Sequence, residues 1–196
     1  MHEEEIDVKL GFVVADGPKG EWYSKLIAWW TNGPFSHVEL IYKDKGKWIK
    51  CSSREITKSA GCVEHNIHEP GWVYVDLAIK KTEFSIIKEF FKEISGAKYD
   101  IAGIFGFILP TKDRSDRWFC SEAVSNALKI ASFRPMWNYD PSNISPNFLF
   151  ELLLRDYSSN KKSSKCYVTN INKDDIYLFY RKRRKKWNFL KLFTIK

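Results

Sequence analysis

The spacing of hydrophobic residues along this chain changes at Thr82, and that change limits the folds open to it. Before Thr82, short runs rich in valine, isoleucine and aromatic residues are separated by turn residues, a pattern typical of β-strands. Strands are expected at residues 8–15, 35–42, 47–53, 61–66 and 72–77. After Thr82, apolar residues recur every three or four positions, which predicts helices. The sequence therefore predicts an α+β fold.

The chain is long enough for one domain with a tail. It has 196 residues, 44% of them hydrophobic and 16% aromatic, so it can bury one good core. The aromatic content fits either a large core or an aromatic-lined groove. The domain is expected over residues 1–157. Residues 158–180 follow as a linker with an optional edge hairpin, at 166–168 and 176–179, and residues 181–196 form a basic amphipathic tail.

All the excess positive charge lies in that tail. The net charge of +8 equals the number of basic residues between Arg181 and Lys196, a stretch without acids. The body is therefore balanced in charge and is not a basic nucleic-acid-binding domain. Apolar residues such as Trp187 and Phe189 accompany the basic ones. The tail could bind an anionic surface, either lipid headgroups or nucleic acid, or it could be solvated.

A cysteine stands where a helix is expected to begin. Downstream of Cys120, Val124, Ala127 and Leu128 recur at helical spacing, so Cys120 lies near the first turn. The unpaired N–H groups and the dipole at a helix N-terminus favour the thiolate over the thiol. Cys120 is thus a candidate nucleophile, although a buried core cysteine would fit the same pattern.

A histidine and a carboxylate share one face of an expected strand. In residues 35–42, alternation places Phe35, His37 and Glu39 on the same side. The next strand would return antiparallel and bring Ser52 or Ser53 opposite His37. Glu39 or a serine hydroxyl could therefore orient the imidazole, as a thiol-activating histidine requires.

These residues, in this order, resemble a known family. The motifs are Ser36-His37-Val38-Glu39, Gly61-Cys62-Val63, Tyr99-Asp100 and Phe119-Cys120-Ser121-Glu122, spread over about residues 10–155. They are similar to the circularly permuted branch of the papain-like NlpC-type cysteine hydrolases, which includes the YiiX-like proteins and the lecithin:retinol acyltransferase relatives. The resemblance implies an antiparallel sheet packed against a helix that carries the cysteine at its N-terminus. Members include bacterial and viral proteins.

The resemblance also implies roles for individual residues. Cys120 would be the nucleophile, His37 the base and Tyr99 a helper near the oxyanion. The third polar residue is less fixed, with Glu39 as the first choice and Ser52 as an alternative. The expected reaction is cysteine-dependent hydrolysis of an amide in a peptide or in peptidoglycan, through a thioester intermediate.

Two other functions remain open at this stage. One is ester hydrolysis or acyl transfer on a lipid at a membrane surface, and the other is a non-catalytic viral or structural binding protein with the same fold. No cofactor is expected. The four cysteines show no zinc-ligand spacing, and His65 and His68 lack acidic or cysteine partners at ligand spacing, so no metal site is predicted.

The N-terminus indicates where the chain is made. Residues 1–7 are acidic and contain no apolar run like that of a secretory signal, so the sequence predicts synthesis in the reducing cytoplasm. No apolar run approaches the length of a transmembrane helix. Association with a virion or with a membrane surface remains open.

Overall fold

The computed structural model describes residues 4–17, 22–54, 59–64, 67, 69–99, 117–159 and 165–193. The side chains of Arg54, Tyr99 and residues 184–193 are outside the description. The sequence also predicts a buried apolar helix at 101–109 and a charged loop at 112–117, and both lie outside the described residues except for Arg117. The two histidines at positions 65 and 68 lie outside them as well.

The described strands form one sheet. They are β1 (Glu5–Val14), β2 (Phe35–Asp44), β3 (Lys47–Arg54), β4 (Ser59–Glu64), β5 (Trp72–Lys80), β6 (Lys98–Tyr99), β7 (Arg117–Trp118) and β8 (Cys166–Ile171). Their order across the sheet is β7-β6-β4-β3-β2-β1-β5-β8. Neighbours pair antiparallel, except β6 with β7. The predicted α+β class with an antiparallel sheet is confirmed.

The described helices follow the change of period at Thr82, apart from one that precedes it. They are α1 (Trp22–Trp30), α2 (Lys81–Glu93), α3 (Cys120–Ile130), α4 (Pro146–Ser159) and α5 (Lys173–Phe193), with short 3-10 turns at Arg134–Met136 and Pro141–Asn143. Among these helices, none is long and apolar enough to cross a membrane.

One face of the sheet forms the main core. Alternate residues of the central strands point to it, including Leu10, Val38 and Val75, and each is completely buried. Helices α2, α3 and α4 cover this face with apolar side chains, among them Ile87 and Leu128. The loss of water contact by these side chains is the main stabilising term. We call this the core face, and the opposite side the site face.

The predicted edge hairpin is correct in its first half only. Strand β8 lies at the edge of the sheet beside β5, as expected. Residues 176–179, however, belong to α5, so the prediction of a second strand there is wrong. Asn172 accepts a hydrogen bond from the Asp174 N–H at 3.0 Å and so caps the helix. Phe179 is completely buried and its ring lies 4.9 Å from that of Phe150, which fixes this turn of α5 against the core.

The hairpin between β2 and β3 has a different register from the predicted one. Its two turn residues, Lys45 and Gly46, have φ of 47° and 83°, as a type I′ turn requires. The paired residues run from Asp44 with Lys47 to Leu40 with Cys51. Extended further, this register would align His37 with position 54. The expectation of a serine opposite His37 is therefore wrong.

Two cysteines pair across neighbouring strands. Cys51 in β3 lies opposite Cys62 in β4, with a Cα to Cα distance of 4.0 Å, and the two form a disulfide. The sequence spacing of the cysteines did not indicate this pairing. Cys120 and Cys166 do not take part in the disulfide, and both are buried. Cys120 is therefore available for chemistry, while the disulfide ties β3 to β4.

Candidate active site

A β-bulge in β2 places Phe35 and His37 on opposite faces of the sheet. Val13 pairs with His37 and its neighbour Val14 pairs with Phe35, so Ser36 is the extra residue of the bulge. As a result, Phe35 turns to the core face, where its ring lies 5.2 Å from Phe12. The sequence placed Phe35 and His37 on one face, which is wrong. His37 stays on the same face as Glu39, the site face, and the bulge moves Phe35 to the opposite one.

The segment before this bulge is held by one buried amide. Asn147 accepts a hydrogen bond from the Phe35 N–H at 2.9 Å and donates to the Phe35 carbonyl at 2.8 Å and to the Thr31 hydroxyl at 2.6 Å. A Cβ on Gly33 would lie 2.2 Å from the amide oxygen of Asn147, so only glycine fits there. Asn147 thus fixes the entry to the strand that carries His37.

Cys120 is the first residue of α3. Phe119 is the N-cap, and its N–H donates to the Glu122 carboxylate at 3.1 Å, half of a capping box. The N–H groups of the first turn have no intrahelical acceptor and point towards the start of the helix. Cys120 is completely buried, in a small cluster with Phe119, Ile27 and Tyr23. The thiol therefore lies under α1, at the positive end of α3.

The structure brings Cys120, His37 and Glu39 together. The His37 imidazole hydrogen bonds to the Cys120 sulfur, and its Nε2 lies 3.3 Å from Glu39 Oε1. Burial disfavours the charged imidazole, but the negative charges and hydrogen bonds of Cys120 and Glu39 outweigh that effect and raise the pKa of His37 from 6.5 to about 10. At neutral pH, His37 is therefore an imidazolium beside a sulfur and a carboxylate.

Lys50 is a further charged residue of the site and lies beside Glu39. The sequence pattern did not indicate a role for it. Its ammonium is almost completely buried and lies 3.9 Å from Glu39 Oε2 and 3.4 Å from Glu69 Oε1. It also lies over the ring of Trp72, 4.2 Å from the centroid. The Lys50 ammonium thus lies between two carboxylates, and Glu39 lies between Lys50 and His37. Lys50 is therefore a positioning residue for Glu39.

Gly11 lets Trp72 reach this group. Trp72 belongs to β5, which is separated from β3 by the two strands β2 and β1, and a Cβ on Gly11 in β1 would lie 2.9 Å from its ring. With no side chain at Gly11, the indole lies flat across β1 towards β2 and β3. Its ring centroid is 6.5 Å from that of His37, in an edge-to-face arrangement. Trp72 thus covers the charged residues from the solvent side.

The two remaining candidate residues have different positions. The Ser52 hydroxyl donates to the Val38 carbonyl at 2.8 Å and makes a longer contact with the Ser53 carbonyl, so it ties β3 to the backbone of β2. The backbone of Tyr99 pairs with Trp118, two residues before Cys120. The side chain of Tyr99 lies outside the described residues, so its role as oxyanion helper stays a prediction.

Among the described residues, no group of three or more histidine, cysteine, aspartate or glutamate side chains is placed to hold a metal ion. The charged groups of the site are instead paired with one another. The chemistry that this arrangement offers is that of a thiol beside an imidazolium.

Comparisons with known proteins give a likeness to solved structures but none to a family model or a curated protein. Among solved structures, the chain is similar to a YiiX-like one, described as the metalloprotein yiiX from Escherichia coli O157:H7, at 18% sequence identity and a TM-score of 0.45. The match covers 86% of this chain and 90% of that chain. The permuted papain-like assignment stays a prediction.

Proposed function

We propose that this chain is a cysteine-dependent hydrolase that cleaves an amide bond through a thioester intermediate. The observation that carries the proposal is the hydrogen-bonded series Cys120, His37, Glu39 at the start of α3. A nucleophile, a base and a carboxylate that orients the base are the parts that thiol hydrolysis needs. The preferred substrate is an amide in a peptide or in peptidoglycan.

In the first step, the Cys120 thiolate attacks the carbonyl carbon and forms a carbon–sulfur bond. The N–H groups of the first turn of α3 would hold the resulting oxyanion, with Tyr99 as a further donor. The imidazolium of His37 then donates its proton to the departing amine as the carbon–nitrogen bond breaks. A high His37 pKa suits this step, because the proton is already in place at neutral pH.

In the second step, water hydrolyses the thioester, and His37 must now act as a base. Acylation converts the thiolate into a neutral thioester, so the charge that raised the pKa of His37 most is gone. Burial then lowers the pKa, and Glu39 alone opposes it. The neutral imidazole takes a proton from water, hydroxide attacks the thioester carbonyl, and the acid product leaves as the Cys120 thiolate is regenerated. One histidine can thus serve as acid and then as base.

Access to the sulfur is part of the proposal. Cys120 has no exposed surface, whereas the side chain of His37 is 22% exposed. A carbonyl would therefore approach past His37, and Tyr23, Ile27 or Phe119 must shift to admit it. Ester hydrolysis or acyl transfer on a lipid is the second candidate function, because the outer side of α1, directly above the thiol, exposes tryptophans.

The proposal is tested by the rate at which iodoacetamide alkylates Cys120 as pH is varied. Mass spectrometry would follow Cys120 in a Cys166→Ser background, with Cys120→Ser as the blank. At about pH 6 an ordinary thiol is almost fully protonated, so we expect His37→Ala to slow alkylation at least about 100-fold. A parallel experiment uses the unmodified chain, which keeps Cys166. Because burial raises the pKa of the Cys166 thiol, this cysteine serves there as an unreactive internal reference.

Two results would contradict the proposal. Alkylation that rises only near the pH of an ordinary thiol and ignores His37→Ala would leave a binding protein without thiol chemistry. If the Cys120 thiolate is reactive but the chain hydrolyses neither peptide anilides nor nitrophenyl esters, the hydrolase assignment is wrong. The ion pair between Cys120 and His37 would still be supported. Turnover of esters without anilides would favour the lipid alternative.

A further inference from the structure

Helix α1 is apolar on both of its sides. Ile27 and Ala28 face inward and are buried, Ile27 in the small cluster around Cys120. The other side exposes large apolar side chains to solvent: Trp22 is 72% exposed, Trp29 58% and Trp30 42%. A helix with apolar residues on all sides is normally enclosed by protein or lies against a membrane.

The outward residues form one continuous stripe. Trp22, Leu26, Trp29 and Trp30 are spaced by four, seven and eight positions, so they project from the same side of the helix. Lys25 is exposed within the same stripe. We call these five residues the tryptophan face. Tryptophan and lysine together are typical of helices that lie in the interface between membrane and water.

The basic helix α5 reaches this face. Arg183 donates to the Asn32 carbonyl at 3.2 Å, two residues beyond the end of α1, and binds Glu151 at 2.8 Å. Lys182 forms an ion pair with Asp16. The pKa of Asp16 is lowered by its hydrogen bond and attraction to Lys182 and by the charge of Lys25. Because Arg183 contacts Asn32, two residues after the end of α1, the basic part of α5 lies next to the C-terminal end of the tryptophan face.

We infer that the tryptophan face and the adjoining basic part of α5 form a docking surface for a membrane rich in anionic phospholipids. The apolar side chains would enter the headgroup region, and the positive charges that follow Arg183 in sequence would attract the lipid phosphates. Nucleic acid is disfavoured because the stripe combines leucine with tryptophan and carries one lysine, whereas a nucleic-acid groove needs charge along its length. This inference goes beyond the chemistry at Cys120.

The position of the surface relative to the site follows from α1 itself. Tyr23 and Ile27 on the inner side pack against Cys120, and the tryptophans occupy the outer side. A helix with its side chains is about 10 Å thick, so docking would hold the thiol roughly one helix diameter below the lipid headgroups. Docking would bring the active site close to a membrane but leave the site outside the lipid.

The test is cosedimentation of the intact chain, without substrate, with vesicles of phosphatidylcholine alone or with added phosphatidylserine. Trp22→Ser combined with Trp30→Ser should lower the partition coefficient on the anionic vesicles about 100-fold, roughly tenfold for each indole withdrawn from the interface. Trp137→Ser is the matched control, because the exposure of Trp137 (57%) lies between those of Trp22 and Trp30 and the residue lies outside α1. It should change binding less than about twofold.

A second pair of variants tests the charge contribution. Lys185→Gln with Lys186→Gln should weaken binding to the anionic vesicles several-fold and leave binding to neutral vesicles unchanged, while Lys45→Gln with Lys47→Gln in the distant hairpin should have no effect. Equal binding by the double tryptophan variant, with circular dichroism showing an intact fold, would overturn the inference. So would an equal loss in Trp137→Ser. Binding to a single-stranded oligonucleotide that is lost in the same tryptophan variant would replace the membrane by nucleic acid.

Discussion

The two faces of the central sheet bury their side chains for different reasons. On the core face, residues such as Leu10 and Val75 are buried because they are apolar, and each contributes through the water it no longer contacts. On the site face, Glu39 and Lys50 are buried almost as completely although both are charged. They stay buried because the charge of each is opposed by the charge of the other, and because the ring of Trp72 covers them.

This difference predicts how each face responds to change. A core-face side chain acts mainly through its volume, so truncation costs in proportion to the space left empty. A site-face charge acts through its partners, so removing one leaves another buried and uncompensated. The two faces can therefore be told apart by whether a second substitution rescues the first.

Phe35→Ala should give the largest effect and tests which face the bulge assigns to Phe35. Its ring lies 4.7 Å from that of Phe150 and 5.2 Å from that of Phe12, with no exposed surface. We expect the free energy of unfolding, measured by urea denaturation, to fall by about 3–5 kcal/mol. Trp137→Ala, at an exposed position, should cost less than about 0.5 kcal/mol. A loss below about 1 kcal/mol for Phe35→Ala would mean that this ring faces solvent beside His37.

Lys50→Met is the corresponding test on the site face. It leaves Glu39 and Glu69 without their ammonium, and we expect it to lower the free energy of unfolding by about 3 kcal/mol. Adding Glu39→Gln should recover much of that loss, because the more buried of the two carboxylates is then neutral. A double-mutant cycle by urea denaturation would measure the coupling.

A surface pair provides the control for that cycle. Lys47 and Glu64 lie 2.8 Å apart, but both side chains are more than half exposed. Lys47→Met should cost less than about 1 kcal/mol, with no rescue by Glu64→Gln. If Lys50→Met behaved like Lys47→Met, the site face would not depend on charge pairing and the distinction between the faces would fail.

Sequence reasoning predicted the core face well because alternation and helical spacing are local signals. The strands at 35–42 and 72–77 and the helix carrying Phe84 and Ile87 were found from such patterns. It also paired His37 with Glu39, because residues two apart on a strand share a face. The placement of Cys120 at a helix start followed from the period of the residues behind it.

What the sequence could not predict depends on contacts between strands. The bulge at Ser36 is a property of how β1 and β2 pair, and it moved Phe35 to the other face. Lys50 joins Glu39 only through the register of the hairpin, although one signal was present: a lysine between Ile49 and Cys51, in the interior of a strand, needs a partner if it is buried. The disulfide likewise needs the pairing of β3 with β4.

The smallest predicted effect is a change in the pKa of His37, which lies on the site face. The pKa of His37 is about 10 because Cys120 and then Glu39 overcome the effect of burial. Cys120→Ser removes the larger of the two contributions, so the pKa of His37 should fall towards its ordinary value. Glu39→Gln should lower it less. Long-range nitrogen–proton NMR of the imidazole across the alkaline range would report both values.

The direction of that shift separates two origins of the imidazolium. If the thiolate holds the proton on His37, the imidazole of the Cys120→Ser variant becomes neutral at a lower pH than that of the intact chain, and acylation would have the same consequence during turnover. If the pKa stays near 10 in Cys120→Ser and falls in Glu39→Gln, the carboxylate on the site face holds the proton instead. His37 would then remain an acid after acylation, and the second step of hydrolysis would need a different base.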